Sequence, residues 1–293
     1  MPFLLTAAEH AARWALHRTG VTSRRIETPV GRMHVLDGRG GGDGAPIVLL
    51  HGIGASATPY APVLARVRPH VRRVIAPDLP GHGFSEAPPR GLDPDRLFEV
   101  VRDALDAVLD GPAVICGGSL GGALAMRYAA ERPHLTASLV LLSPAGAQLT
   151  EDELDTLRGH FDMKDRRDAL AFSRRLYHRP PRSLPLVAGE IRARLSRDVV
   201  RDLLASARTS HAVTPETLAG LKMPVVLVWG RSERLLPPSA LAYFRAHLPA
   251  HARIEEPEGL GHCPHLDDPA QVARVLLEAA RSAATPDPST APG

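Results

Sequence analysis

Ten residues constrain this chain more than any others: Ala113-Val114-Ile115-Cys116-Gly117-Gly118-Ser119-Leu120-Gly121-Gly122. Four apolar residues, two of them β-branched, stand between Gly111-Pro112 and Gly117-Gly118, the pattern of a buried strand that stops abruptly. Ala123, Leu124, Ala125, Met126, Tyr128, Ala129 and Ala130 follow, mostly good helix formers, until Arg132-Pro133 ends the run. A strand that turns straight into a helix tolerates only small residues beside the bend, so Gly117-x-Ser119-x-Gly121 predicts a serine on a strained turn. Ser119 is a candidate nucleophile, and the rest of the chain has to separate that role from an ordinary strand-to-helix loop.

The same pattern recurs. Pro46-Ile47-Val48-Leu49-Leu50 is a continuous apolar run that delivers His51-Gly52-Ile53-Gly54, and Arg73-Val74-Ile75-Ala76 precedes the turn-rich Pro77 to Ser85. A helix from Pro94 to Leu109, with Asp93 as its cap, leads into the ten-residue stretch; Ser138 to Leu142 and Met223 to Gly230 are further apolar strands. Strands alternating with helices predict an α/β fold with a mostly parallel sheet, whose ligands bind outside the carboxyl ends of the strands. Arg24 to Thr28 and Arg32 to Leu36 form an edge hairpin about Pro29-Val30-Gly31. The glycines from Gly38 to Gly44 lack the Gly-Lys-Ser/Thr ending and open a strand, so they predict a flexible loop and not a phosphate cradle.

Between Ser143 and Thr217 the alternation lapses. Helical stretches at Asp168 to Tyr177 and Gly189 to Ser206, separated by Arg179-Pro180-Pro181-Arg182, predict an inserted helical cap over 146–215 on a core made of 1–145 and 216–283. Its arginines alternate with acids and predict a solvated face. A helix from Pro238 to Leu248, a strand at Ala252 to Glu255 and a helix from Pro269 to Ala283 complete the core, and the proline-rich 284–293 predicts a disordered tail.

Charge and cysteine usage exclude several classes. A net charge of +3, with both signs mixed along the chain, leaves no nucleic-acid footprint. The 14 histidines show no zinc-type spacing and two cysteines cannot staple a fold, so neither metal nor cofactor is expected and the thiols suit a reducing, cytoplasmic compartment. No apolar run is long enough to span a bilayer. Glu9, His10 and Arg13 interrupt the start too early for a secretion signal. It predicts a short amphipathic helix, with Leu4, Ala8, Ala11 and Ala15 on the side docked to the body.

The motifs His51-Gly52-Ile53-Gly54, Asp78-Leu79-Pro80-Gly81-His82-Gly83-Phe84-Ser85, Gly117-Gly118-Ser119-Leu120-Gly121-Gly122 and Gly259-Leu260-Gly261-His262, in that order, resemble the α/β-hydrolase fold family over nearly the whole chain. The general look is similar to bacterial esterases and monoacylglycerol-lipase-like members. The resemblance implies that Ser119 is a nucleophile, His262 its general base, and the backbone N–H groups of Leu120 and Ile53 the oxyanion donors. It puts the acid in the loop from Trp229 to Pro237, where Glu233 stands in place of the usual aspartate; a surface glutamate with the acid elsewhere is the alternative, although no acid follows Leu142 before Glu151 and Asp267 lies too soon after His262. His51, His82, Cys116 and Cys263 are expected to be structural. A serine at this turn argues against the dehalogenase and epoxide hydrolase members, which use aspartate. The expected function is hydrolysis of small-molecule carboxylic esters of short to medium chain, with Leu154, Leu157, Phe161, Leu170, Phe172, Leu176, Tyr177 and Leu195 of the cap supplying the acyl pocket. The alternatives are a hydrolase of carbon-carbon bonds in β-diketone-like ring-cleavage products and a non-catalytic ligand-binding member.

Overall fold

The apolar runs line up side by side. The computed structural model describes residues 4–284. It opens with α1 (Leu4–Arg18), β1 (Val21–Ile26), β2 (Met33–Arg39), β3 (Ile47–Leu50), α2 (Ala61–Val67) and β4 (Arg73–Pro77), continues with α3 (Pro94–Val108), β5 (Ala113–Gly118), α4 (Leu120–Glu131) and β6 (Thr136–Leu142), and then runs through α5 (Glu151–Phe161), α6 (Arg166–Arg175), α7 (Leu184–Leu195), α8 (Asp198–Ser206) and α9 (Pro215–Ala219). β7 (Val225–Val228), α10 (Pro238–His247), β8 (Arg253–Glu255), α11 (Pro264–Asp267) and α12 (Pro269–Ala284) close the chain's described part. The eight strands form one sheet in the order β1-β2-β4-β3-β5-β6-β7-β8. The β1–β2 and β2–β4 pairs are antiparallel and the rest are parallel, so the first two strands make an edge hairpin on a parallel body.

The central strands bury both faces, and the period of two decides which layer each residue joins. Val48, Leu50, Ile115, Leu139, Leu141 and Leu227 pack with Leu97, Val101 and Leu105 of α3, Leu124 of α4 and Phe244 of α10. Their neighbours Ile47, Leu49, Val114, Val140, Val226 and Val228 pack with Val63 and Leu64 of α2 and Val272 and Leu276 of α12. Asp93 caps α3 by accepting the Arg96 N–H, and Pro94 occupies a first-turn position whose amide has no partner in any helix.

Five α-helices, α5 to α9, lie in the connection from β6 to β7. The expected helix over Gly189 to Ser206 is two, because Arg197 is extended between them. α5 is absent from the expectations although Thr150 and Glu153 close a capping box at its start. Two other expectations are corrected. On α1 the alanine face is turned outward: Ala8, Ala11 and Ala15 are exposed, Leu4 is 56% exposed, and Leu16 is the buried residue. The inward side carries Glu9, which pairs with Arg194 of α7 at 2.6 Å, while Glu190 of α7 accepts the N–H groups of Leu4 and Leu5. Charge and capping therefore dock this helix, not its apolar stripe. The glycine loop is packed, not open. A Cβ on Gly40 would lie 1.7 Å from the Val71 carbonyl oxygen, and Gly40, Gly41, Gly42 and Gly44 all donate to backbone between Arg68 and Arg72. No helix among the described residues is long and apolar enough to cross a membrane. The expected disordered tail lies outside the described residues, apart from Ala284 at the end of α12.

Candidate active site

Ser119 sits at the carboxyl end of β5 with φ 51° and ψ −122°, a region that non-glycine residues seldom adopt. The bend survives because its neighbours have no side chains. A Cβ on Gly117 would lie 2.1 Å from the Gly121 oxygen, and one on Gly121 would lie 2.2 Å from the Leu50 oxygen. β5 can therefore turn into α4 in one residue while α4 presses against β3. Leu120 is the first residue of α4, so its N–H belongs to the unpaired amides at the positive end of the helix dipole. Gly52 brings the loop after β3 against the same bend, a Cβ there lying 3.1 Å from the Ser119 Cβ. Among the described residues neither the Ile53 nor the Leu120 amide has a hydrogen-bond partner.

The loop after β7 carries Glu233, and the loop after β8 carries His262. The two are joined along their backbones: Arg231 N–H donates to Pro257 O and Ser232 N–H to Leu260 O, and a Cβ on Gly230 would meet the Leu260 oxygen at 2.2 Å. His262 Nδ1 lies 2.8 Å from Glu233 Oε2, and both side chains are almost wholly buried. Glu233 Oε1 accepts the N–H groups of Leu235 and Leu236 at 2.7 and 3.1 Å. Burial alone would raise the Glu233 carboxyl; His262, by charge and hydrogen bond, and the two amides hold it below the usual carboxylate range instead. Glutamate's extra methylene is thus absorbed by a carboxylate folded back onto its own loop. The alternative acid is engaged elsewhere: Asp267 accepts the N–H groups of Gly261 at 2.8 Å and of His178 at 3.0 Å. Cys263 N–H donates to Leu176 O, and His178 Nδ1 meets Ser232 Oγ at 2.7 Å. The segment after α6 is therefore bonded to both loops that carry the histidine and the acid.

A second buried network holds the loop after β3. His51 Nδ1 donates to Gly52 O and its Nε2 accepts the Leu79 N–H, which uses both ring nitrogens within the backbone. Asp78 accepts from Ala57 N–H at 2.7 Å, Phe84 N–H at 2.9 Å and His34 Nδ1 at 2.9 Å. Burial opposes its charge, but these partners hold the carboxyl below its ordinary value. A Cβ on Gly83 would collide with that carboxylate at 2.3 Å. Asp78 and His34 hold these loops together, a role that motif reading misses, although the Asp-Leu-Pro-Gly-His-Gly segment contains the signal. His82 is buried with Nδ1 on Pro80 O, and burial together with the charge of His51 pulls it down to about 3. Burial pushes the thiols of Cys116 and Cys263 up.

Two cavities of about 180 Å³ each meet at Ser119. The first is apolar and runs past Leu120, Ala123, Pro144, Leu149, Leu154, Leu157 and Leu203. The second contains His262 with Tyr60, Tyr177, Cys263 and His265. Ile53, Ser119, Phe161 and Leu235 line both. The residues expected to form one acyl pocket are therefore divided: Leu154 and Leu157 line the first cavity, Phe161 both, and Phe172, Leu176, Tyr177 and Leu195 the second, while Leu170 lines neither. A further cavity, about 740 Å³, lies along the loop that carries Glu233 and reaches neither Ser119 nor His262.

Residues 47–275 match the model of the alpha/beta hydrolase family. A pimeloyl-[acyl-carrier protein] methyl ester esterase of Aromatoleum aromaticum is 30% identical over 263 residues, 79% of this chain and 96% of that protein. The matched share of other curated relatives is lower, 42% in one case and 29% in another. A bacterial membrane phospholipase A described as a virulence factor superposes with a TM-score of 0.79 at 23% identity, over 95% of this chain and 91% of that one. The 2-hydroxy-6-oxo-6-phenylhexa-2,4-dienoate hydrolase of Rhodococcus sp. strain RHA1 gives 0.74 at 23% identity, over 89% and 100%.

Proposed function

The chain belongs to the alpha/beta hydrolase family, and from that premise we propose that it is a serine hydrolase of carboxylic esters in which Ser119, His262 and Glu233 form the catalytic triad. The observation that carries the reading is the buried 2.8 Å contact of His262 Nδ1 with Glu233, made in a residue that shares a cavity with the strained Ser119. A carboxylate on Nδ1 fixes the tautomer that leaves Nε2 able to take a proton. The similarity to a methyl ester esterase over most of both chains supports esters as the substrate class.

In this mechanism His262 removes the Ser119 proton as Oγ attacks the ester carbonyl carbon. The oxyanion is held by the N–H groups of Ile53 and Leu120, a pair worth about 2.7–4 kcal/mol per donor in comparable sites. Collapse breaks the bond to the alcohol oxygen, which takes the proton from His262. Water then attacks the acyl-enzyme carbonyl, gives its proton to His262, and the acid leaves as Ser119 regains its proton. Helices α5 to α8 act as the cap, 146–215, that roofs the site. No metal or organic cofactor takes part in this scheme.

Wild type should hydrolyse p-nitrophenyl acyl esters and react with a fluorophosphonate probe, whereas Ser119→Ala should do neither. Equal inactivity of the two proteins, with no labelling, would sink the reading in favour of a binding protein. Slow ester turnover beside rapid loss of a dienol chromophore would select carbon-carbon bond hydrolysis instead.

A further inference from the structure

The two cavities divide the substrate, and the division follows from where the proton must go. In an ester hydrolase the leaving oxygen receives its proton from the histidine, so the alcohol half has to lie on the side that contains His262. That is the second cavity; the apolar one, which lacks His262, is left for the acyl chain.

The alcohol side carries polar groups that no described residue satisfies. Six buried side-chain polar atoms have no hydrogen-bond partner among the described residues, and two of them, Tyr60 Oη and His265 Nδ1, belong to residues lining this cavity; none belongs to a residue lining the apolar one. Tyr60 is 1% exposed and stacks on His265 with ring centroids 4.2 Å apart and planes 21° apart. Its hydroxyl lies 3.0 Å from where a Cβ on Gly118, the residue before Ser119, would stand. Leaving buried donors and acceptors unpaired is costly, so such a pair is completed by what enters. The pair is also uncharged: burial first, and the charge of His262 second, lower His265 to about 3, while burial raises the Tyr60 phenol well above its ordinary value. Arg194, the cation in the same lining, is neutralised by Glu9. The chemistry favours a neutral hydrogen-bonding group over a carboxylate or a phosphate.

Resting on the ester hydrolase reading above, we propose that Tyr60 and His265 form a polar subsite for the alcohol half of the substrate. The preferred esters then join an apolar acyl chain to an alcohol that keeps a second neutral hydrogen-bonding group, such as a free hydroxyl. Tyr60 and His265 set specificity and are not catalytic residues.

The test compares two butyrates that differ in one hydroxyl, the ethyl ester and the 2-hydroxyethyl ester, on wild type, Tyr60→Phe and His265→Phe. Both variants keep an aromatic ring in place, and fluorophosphonate labelling of each reports whether Ser119 is intact. Wild type should favour the hydroxyethyl ester in kcat/KM by about tenfold, and each variant should lose that preference while labelling and hydrolysing the ethyl ester within about twofold of wild type. A wild type that labels but hydrolyses both esters equally overturns the subsite alone, as does a Tyr60→Phe variant that loses both esters in equal proportion or retains the preference. A wild type that neither labels nor turns over either ester overturns the hydrolase reading and the subsite with it.

Discussion

At the scale of single residues, Glu233 differs from the aspartate expected at its place, and its geometry says how the longer side chain is used. One carboxylate oxygen faces His262 and the other is tied to the amides of Leu235 and Leu236. On the proposed mechanism Glu233→Gln should cut kcat by roughly 10³–10⁴ with KM changed only a few-fold, since the amide favours the wrong ring tautomer; steady-state kinetics on one p-nitrophenyl ester decides it. The pH dependence of stability has a definite sign. Because the folded Glu233 pKa lies below its unfolded value, its stabilisation is fully present above about pH 4.3 and is lost as the pH falls through the folded pKa. His82 and His265, both near 3 in the fold, also lose stabilisation on acidification, over the wider span from about 6.5 down to 3. Urea midpoints should therefore fall steadily below pH 6.5, and His82→Gln should flatten that fall. Ser119 and His262 are legible in the sequence because each sits in a short glycine motif. Tyr60 and His265 are not, since no local pattern announces that residues so far apart in the chain stack on each other.

At the scale of elements, the site depends on backbone approaches that permit no side chain. Gly121→Ala would put a methyl group 2.2 Å from the Leu50 oxygen and push α4 off β3. The expected cost is roughly 2–4 kcal/mol, read by thermal or urea denaturation, with fluorophosphonate labelling of Ser119 lost in the fraction that still folds. The strands were the most legible elements, because runs such as Ile47–Leu50 and Val225–Val228 are apolar at every position and allow only a strand buried on both faces. Helix faces were less legible. The alanines of α1 suggest a docking stripe, yet the partly buried Glu9–Arg194 pair and the Glu190 cap determine which side turns inward. Periodicity registers hydrophobicity, so a contact made by charges and amide groups escapes it. The break between α7 and α8 escaped for a related reason: Ser196 and Arg197 are neither glycine nor proline.

At the scale of the whole molecule, buried polar groups hold the loops that the sheet edge leaves irregular. Asp78 gathers three partners from β2 and from the loops following β3 and β4. Asp78→Asn should cost about 3 kcal/mol in denaturation experiments, because the amide cannot accept all three donors and brings a donor of its own. The comparable hold on the proposed roof is Asp267, which binds the backbone of Gly261 and of His178 together, while Leu176 receives the Cys263 amide. This stretch of the roof is stitched to the same loop that presents His262. On the proposed mechanism, raising it would break the hydrogen bonds made by Gly261 and Cys263 on either side of His262, so at this point admission and reactivity would exclude one another. On the proposed function the enclosure would act as a fixed sieve, accepting or refusing esters by the width of standing apertures.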